Sequence, residues 1–210
     1  MYPIMNNEVE ESLKRLESLD KVVIESAKEM IHDENMYPLD LLANAVLNRT
    51  LSTISGFVLL TRANNFNCAA HLIRLHLDNL LRFSAAWIVD NPHDFAMKVL
   101  SGEQINHLKD SAGAKMHDSY LVKKLSIDYP WVEKVYKETS GFVHLSDKHI
   151  FNSTRLKDKE QRTIAFSISK EDLFVDDQLR LEATELMIEI TNCICHFIRS
   201  WTWTKKHPHK

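Results

Sequence analysis

Glycine and proline are scarce in this sequence, which has four glycines and five prolines among 210 residues. Many-stranded sheets and long loops need both residues at their turns, so their scarcity argues against an all-β protein. A hydrophobic fraction of 44% with 26% charged residues suits a globular core with a solvated exterior. We therefore predict a mainly all-α protein, a multi-helix bundle that forms one domain over residues 1–210.

Cysteine is also rare, and its three positions show neither a disulfide framework nor a paired Cys-x-x-Cys spacing. Cys68, Cys193 and Cys195 are odd in number, which favours reduced thiols in a cytoplasmic protein. The first residues lack a basic region followed by an apolar core, so we expect no secretion signal. The longest apolar stretch without charge is much shorter than the roughly 20 residues that cross a bilayer. We therefore expect a cytoplasmic protein with no membrane partner.

The sequence also has no excess of positive charge, because its formal net charge is −3. This balance argues against a broad surface for duplex DNA, although a local basic site stays open. The sequence contains no His-Glu-x-x-His, no glycine-rich phosphate loop and no Gly-x-Ser-x-Gly elbow. We therefore expect no hydrolase triad and no cofactor.

Apolar residues recur every three or four positions over several long segments, the spacing of amphipathic helices. The first such segment, Asn7–His32, should lie on the outside of the bundle. Two further helices are predicted over Pro38–Arg62 and Asn67–Val89, and a final one over about residues 177–203, capped by Asp176 or Asp177. Shorter helical pieces are predicted at residues 94–100, 102–109, 118–127 and 131–140.

The hydrophobic period changes from helical spacing to two at about residues 149–168. Ile164, Phe166 and Ile168 alternate with other residues after a charged turn at residues 157–160. This pattern predicts one β-hairpin inserted between helices. The basic end of the chain, residues 205–210, is expected to be a frayed tail.

The second and third predicted helices are unusually poor in charge, since no lysine and no glutamate occurs between Leu41 and Val89. Exposed helical faces usually carry both residue types, because these side chains favour helices and need water. Their absence predicts that this pair of helices is the core and is covered on most sides by other helices.

The few charged side chains of the third helix fall on one narrow strip, because each residue turns by about 100°. The strip contains His71, Arg74, Asp78 and Arg82. Arg74 and Asp78 are four residues apart and are expected to pair. Two interpretations stay open: a structural ion-pair network, or a polar pocket whose arginines bind an anion such as a phosphate.

Two other clusters carry candidate chemistry. Tyr136, Ser140 and His144 are four residues apart and would share a helix surface, unless Gly141 ends the helix first. A structural histidine and a polar-site histidine both fit this pattern. On the last helix, one side carries side chains that metals use as ligands, but an ordinary solvated flank explains them and we predict no metal site. These side chains are Glu185, Glu189, Cys193 and His196.

The pair Arg74-x-x-x-Asp78, followed by Tyr136, Ser140, His144 and a hairpin, resembles an uncharacterised all-helical bacterial family, a domain of unknown function. That family usually has a glutamate where this chain has Asp78, and the likeness covers about residues 41–168.

More distantly, the bundle is similar to the HEPN superfamily, which implies an up-and-down helical core. Many HEPN members are metal-independent ribonucleases in bacterial defence and toxin systems, with an arginine and a histidine four to six residues apart. No arginine of this sequence is followed by a histidine with four to six residues between them, so the nuclease activity is not carried over from the resemblance.

Two functional hypotheses follow from these observations. The first is a non-catalytic helical interaction module in a bacterial defence or stress context, forming homo-oligomers through exposed apolar residues as HEPN-like domains often do. The second is an RNA- or nucleotide-acting protein, in which five side chains converge so that arginine binds phosphate and histidine moves a proton. These side chains are His71, Arg74, Asp78, Arg82 and His144. Such an enzyme would be a metal-independent ribonuclease. An open cleft would favour the second hypothesis, and a closed, internally paired strip the first.

Overall fold

A computed structural model describes residues 6–32, 35–144 and 146–207. Within these ranges the chain is mainly helical, with one small two-stranded antiparallel sheet, so the predicted fold class is confirmed. The helices are α1 (Asn7–Ile31), α2 (Pro38–Arg62), α3 (Phe66–Ser84), α4 (Pro92–Leu100), α5 (Asp118–Leu125), α6 (Trp131–Val143), α7 (Asp147–Ser153) and α8 (Asp177–Lys206). The strands are β1 (Thr154–Asp158) and β2 (Thr163–Phe166), between α7 and α8.

Helix α1 lies on the outside of the bundle, as predicted. The Asn6 side chain caps it by accepting a hydrogen bond from the backbone N–H of Glu8. One face packs against α8 and α2, while the opposite face is exposed to solvent. The buried face contains Val9, Leu13, Leu16, Val23 and Met30.

Helix α3 is the central element, since it packs against α2, α8, α6 and α5. Its start is fixed from a distant loop: the buried carboxylate of Asp172 accepts hydrogen bonds from the backbone N–H groups of Phe66 and Asn67. The predicted end at Val89 is wrong, because the α-helix stops at Ser84 and tightens into a 3₁₀ turn, Ala85–Trp87. This central position brings the charged strip of α3 next to α5 and α6.

Helix α2 is less covered than the sequence suggested. Its outer face is exposed although it has almost no charge, so the prediction of a hairpin covered on most sides holds for α3 but not for α2. The exposed positions carry short polar or apolar side chains in place of lysine and glutamate. They include Leu41, Asn44, Ala45, Asn48, Ser52, Ser55 and Leu59.

The β-hairpin begins later than predicted. Residues 149–153 belong to α7, because Ser146 and His149 form a capping box that starts a helical turn at Asp147. Strand β1 then starts at Thr154. The strands pair in antiparallel register, and their main packing partner apart from each other is α7.

The C-terminal end of α8 is not a frayed tail as far as it is described. The helix continues to Lys206, and the Lys205 ammonium lies 3.0 Å from a carboxylate oxygen of Asp40. Both side chains are almost fully buried, at 2% and 0% exposure. Residues 208–210 lie outside the described part of the chain.

Residues 101–117 contain little regular structure. The helix predicted at residues 102–109 is reduced to a 3₁₀ turn at Ile105–His107, followed by an isolated β-bridge between Lys109 and Lys115. Glycines at 102 and 113 have positive φ angles of 95° and 82°, which explains why the chain turns at these two points. Among the residues that are described, no helix is both long and apolar enough to cross a membrane.

Candidate functional site

The charged strip of α3 is paired differently from the sequence prediction. Asp78 accepts a hydrogen bond from Arg82 Nε at 3.2 Å, one turn further along the same helix, and lies 3.8 Å from Nη1 of Arg49 on α2. The expected pair between Arg74 and Asp78 is not formed. Asp78 pairs with Arg49 and Arg82 instead, and Arg74 pairs with a different carboxylate.

That second carboxylate belongs to Asp118, which the sequence reasoning missed. Asp118 is the first residue of α5, where the helix dipole favours a negative charge. One of its oxygens accepts a hydrogen bond from Arg74 Nη2 at 3.2 Å, and the other accepts one from Arg82 Nη2. Asp118 lies 44 residues from Arg74 along the chain, so no local sequence pattern could have linked them.

Helix α6 supplies the opposite side of the site. The guanidinium of Arg74 lies over the Tyr136 ring, with its carbon 4.3 Å from the ring centroid. One turn later, Ser140 Oγ donates a hydrogen bond to the Tyr136 carbonyl at 2.9 Å. The backbone N–H of His144 donates to the Ser140 carbonyl. The helix therefore passes through Gly141 and ends at Val143, and His144 still lies one turn beyond Ser140.

These side chains surround an open pocket of about 360 Å³ between α3, α5 and α6. Five of the predicted site residues line it, together with Asp118 and two partly exposed apolar side chains. The pocket is lined by Arg74, Leu75, Asp78, Asp118, Tyr136, Ser140, Val143 and His144.

Two predicted site residues lie outside this lining. Arg82 does not line the pocket itself, but it donates hydrogen bonds to Asp78 and Asp118, which do. His71 is half-buried, with Nδ1 2.7 Å from the Asn67 carbonyl oxygen. Its ring centroid lies 6.4 Å from that of His149 on α7. The second hypothesis requires five side chains to converge. Arg74, Asp78 and His144 line the pocket, whereas His71 and Arg82 do not.

The ion-pair network around the pocket has one positive charge in excess. It joins three guanidinium groups and two carboxylates, those of Arg49, Arg74, Arg82, Asp78 and Asp118. The side chain of Arg74 is 15% exposed, and its Nη1 group is buried without a hydrogen-bond partner among the described residues. A buried donor without an acceptor costs about 1–3 kcal/mol, so an acceptor that reached this nitrogen would remove that cost.

The potential metal ligands of α8 do not converge. Glu185 accepts hydrogen bonds from Ser12 and from both terminal nitrogens of Arg15. Glu189 and His196 are exposed, whereas Cys193 is buried, and burial raises the pKa of its thiol to about 12. Within residues 6–32, 35–144 and 146–207, no group of three or more histidine, cysteine or acidic side chains is arranged to hold a metal.

Comparison of the chain with protein-family models, with curated proteins and with solved structures found no match.

Proposed function

We propose that this protein binds a small phosphate-bearing ligand of the nucleotide class in the pocket between α3, α5 and α6. One observation carries the proposal: Arg74 lines the pocket, is held in place on two sides, and keeps one donor nitrogen without a partner among the described residues. Arginine is well suited to phosphate, because its planar guanidinium can donate two parallel hydrogen bonds to neighbouring oxygens.

The fixed position of Arg74 supports binding with little ordering cost. Tyr136 packs against the face of its guanidinium and Asp118 accepts a hydrogen bond from Nη2, so few rotamers are lost when a ligand arrives. A negatively charged ligand would also balance the one excess positive charge of the ion-pair network. The side chain of His144, exposed at the mouth, offers a further polar group to the same ligand.

The size and lining of the pocket favour a nucleotide over an inorganic ion. A volume of about 360 Å³ falls within the range of about 300–1,000 Å³ typical of small-molecule sites. Leu75 and Val143 contribute apolar surface beside the charged groups, and both are nearly half exposed. A ligand with a phosphate at Arg74 and a base or sugar against Leu75 would use both kinds of surface.

Isothermal titration calorimetry with adenosine monophosphate and with inorganic phosphate tests this proposal on the whole chain. In Arg74→Met, we expect both affinities to fall by roughly 10- to 150-fold, because the substitution removes charge-assisted hydrogen bonds worth about 1.5–3 kcal/mol. Arg199→Met is the matched control, since it removes one positive charge from an exposed position on α8. In Leu75→Ala, the nucleotide should bind more weakly while phosphate is unaffected.

The proposal fails if neither ligand binds, or if Arg74→Met and Arg199→Met bind equally well while both retain the helical circular dichroism spectrum. The RNA-acting alternative has its own assay, which uses a short single-stranded RNA as substrate. Cleavage that is lost in His144→Ala and kept in Arg199→Met would add a catalytic role for the histidine at the pocket mouth.

A further inference from the structure

The pocket between α3, α5 and α6 presents charges of both signs to a ligand. Arg74 lines it with one guanidinium, and Asp78 and Asp118 line it with two carboxylates. The other two guanidiniums of the ion-pair network, those of Arg49 and Arg82, pair with these carboxylates but do not line the pocket. A ligand therefore meets one positive and two negative groups directly, and two of the cations that balance the carboxylates lie outside the lining.

The charge of the network as a whole limits the charge of a ligand. Three guanidiniums and two carboxylates leave a single positive charge in excess. Helix α6 contributes the uncharged side chains of Tyr136, Ser140 and Val143 to the lining, and His144 follows at its end. An anion with one negative charge is therefore balanced by the network. A second negative charge meets no further guanidinium or ammonium group among the described residues of the lining, and it lies beside two carboxylates.

Phosphate groups differ in charge according to their number of ester bonds. A phosphomonoester such as adenosine monophosphate (AMP) carries about −1.5 to −2 charges at neutral pH, because its second pKa is about 6. A phosphodiester has no second ionisable oxygen and carries one negative charge, as each phosphate of a nucleic acid backbone does. A diester therefore matches the excess charge of the network, whereas a monoester exceeds it.

We infer that the pocket selects nucleotides whose phosphate is a diester, with Asp78 and Asp118 as the residues that determine this specificity. The inference rests on the proposed nucleotide site and specifies the class of phosphate that it accepts. A diester keeps two unesterified oxygens, so it offers Arg74 the same bidentate hydrogen bonds as a monoester does. The preference therefore comes from the charge of the ligand and not from the number of hydrogen bonds that Arg74 makes.

A matched pair of ligands tests the inference on the full chain. AMP and its methyl ester, adenosine 5′-(methyl phosphate), have the same base and sugar and differ in one ester bond. In calorimetry at about pH 8, where AMP is a dianion, the methyl ester should bind at least about 10-fold more tightly, because like charges brought together oppose binding. AMP that binds as tightly as its ester overturns the inference and leaves the nucleotide site in place. If neither ligand binds, the proposed function fails together with the inference.

Acidification separates the charge of the ligand from its shape. Between about pH 8 and about pH 5, AMP takes up a proton and becomes a monoanion, whereas the charge of the methyl ester does not change. The two affinities should therefore converge to within about 2-fold at the acidic end. Protonation of the protein, at His144, Asp78 or Asp118, is reported by the methyl ester. An affinity ratio that is independent of pH overturns the inference, because the preference would then come from the methyl group.

The substitution Asp118→Asn tests the role of the carboxylates. Asparagine keeps an oxygen that accepts a hydrogen bond from an arginine and removes one negative charge from the lining, so AMP at about pH 8 should bind within about 3-fold of its methyl ester. Asp128→Asn is the matched control, since Asp128 is exposed and does not line this pocket, and it should keep the preference for the ester. Equal preferences in the two variants contradict the inference. If Asp118→Asn does not fold, the pH series on the unsubstituted chain decides.

Two further ligands identify the source of the diester. Cyclic adenosine 3′,5′-monophosphate closes the diester into a ring, whereas the dinucleotide adenylyl-3′,5′-adenosine places it within a chain. Tighter binding than AMP at about pH 8 by either ligand supports the inference, and the tighter of the two shows whether the site accepts a ring or a chain. Weaker binding than AMP by both ligands overturns it.

Discussion

The substitution Lys205→Met tests how the C-terminal end of α8 is fixed to the start of α2. Lys205 Nζ donates hydrogen bonds to the carbonyls of Met30 and Asn35 and to the Asp40 carboxylate, at 2.7, 3.1 and 3.0 Å. Asp40 is fully buried, so removing its cationic partner leaves a carboxylate in a site from which water is excluded. Breaking a buried pair of this kind by deleting one partner typically costs about 3–5 kcal/mol.

The lower end of this range applies here. The Asp40 carboxylate also accepts hydrogen bonds from Trp201 Nε1 at 2.7 Å and from the Tyr37 backbone N–H at 2.8 Å, and both donors remain in the variant. Methionine keeps the apolar part of the lysine side chain in contact with its surroundings. We therefore expect Lys205→Met to lower the free energy of unfolding by about 3 kcal/mol, which corresponds to a fall in melting temperature of about 6–12 °C.

Urea unfolding monitored by circular dichroism measures this difference. The matched control is Lys206→Met, which removes the same charge one residue later at an exposed position and should change stability by less than about 0.5 kcal/mol. Equal stabilities for the two variants would refute the reasoning, because they would mean that Lys205 and Asp40 gain nothing from their buried contact.

Two further predictions concern buried groups. Burial lowers the pKa of His76 to about 3 from an ordinary 6.5, so between these values the unfolded chain binds a proton that the folded chain does not. The free energy of unfolding should therefore fall by about 1.4 kcal/mol for each pH unit of acidification in this range. His76→Gln should remove this contribution, whereas the exposed control His117→Gln should keep it. If the free energy of unfolding of both variants depends on pH with the same slope, the prediction is contradicted. Burial also raises the pKa of Cys193 to about 12 and that of Cys195 above its usual value. A thiol reagent should therefore react only with the exposed Cys68 in the native protein and with all three thiols in urea. Reaction of all three thiols in the native protein would contradict the burial of this part of α8.

The structural and the ligand-binding interpretations of the α3 strip are not exclusive. Asp78 and Asp118 pair with arginines on both sides, as a structural network would, and the same carboxylates line an open pocket. Pairing fixes the arginine side chains, and the network keeps one guanidinium charge in excess. An internally paired strip can therefore still be a binding site when its charges do not cancel.

Local sequence pattern determined the helices and part of the site. The three-and-four spacing of apolar residues depends only on the 3.6-residue period of a helix, so it located α2 and the start of α8 correctly and placed Arg74, Asp78 and Arg82 on one strip. The same geometry put Tyr136 and Ser140 on one side of α6. Each of these predictions involves residues within a few turns of one another, whose relative positions follow from a single helix.

Tertiary packing decided everything that joins distant parts of the chain. Asp118 meets Arg74 only because α5 and α6 both pack on α3, and this contact redirects Arg74 away from the carboxylate four residues along its own helix. Lys205 became a buried partner of Asp40 instead of part of a tail, because its helix packs along α1 and α2. Sequence periodicity fixes which residues share a face, but only the packing of elements against each other determines what that face meets.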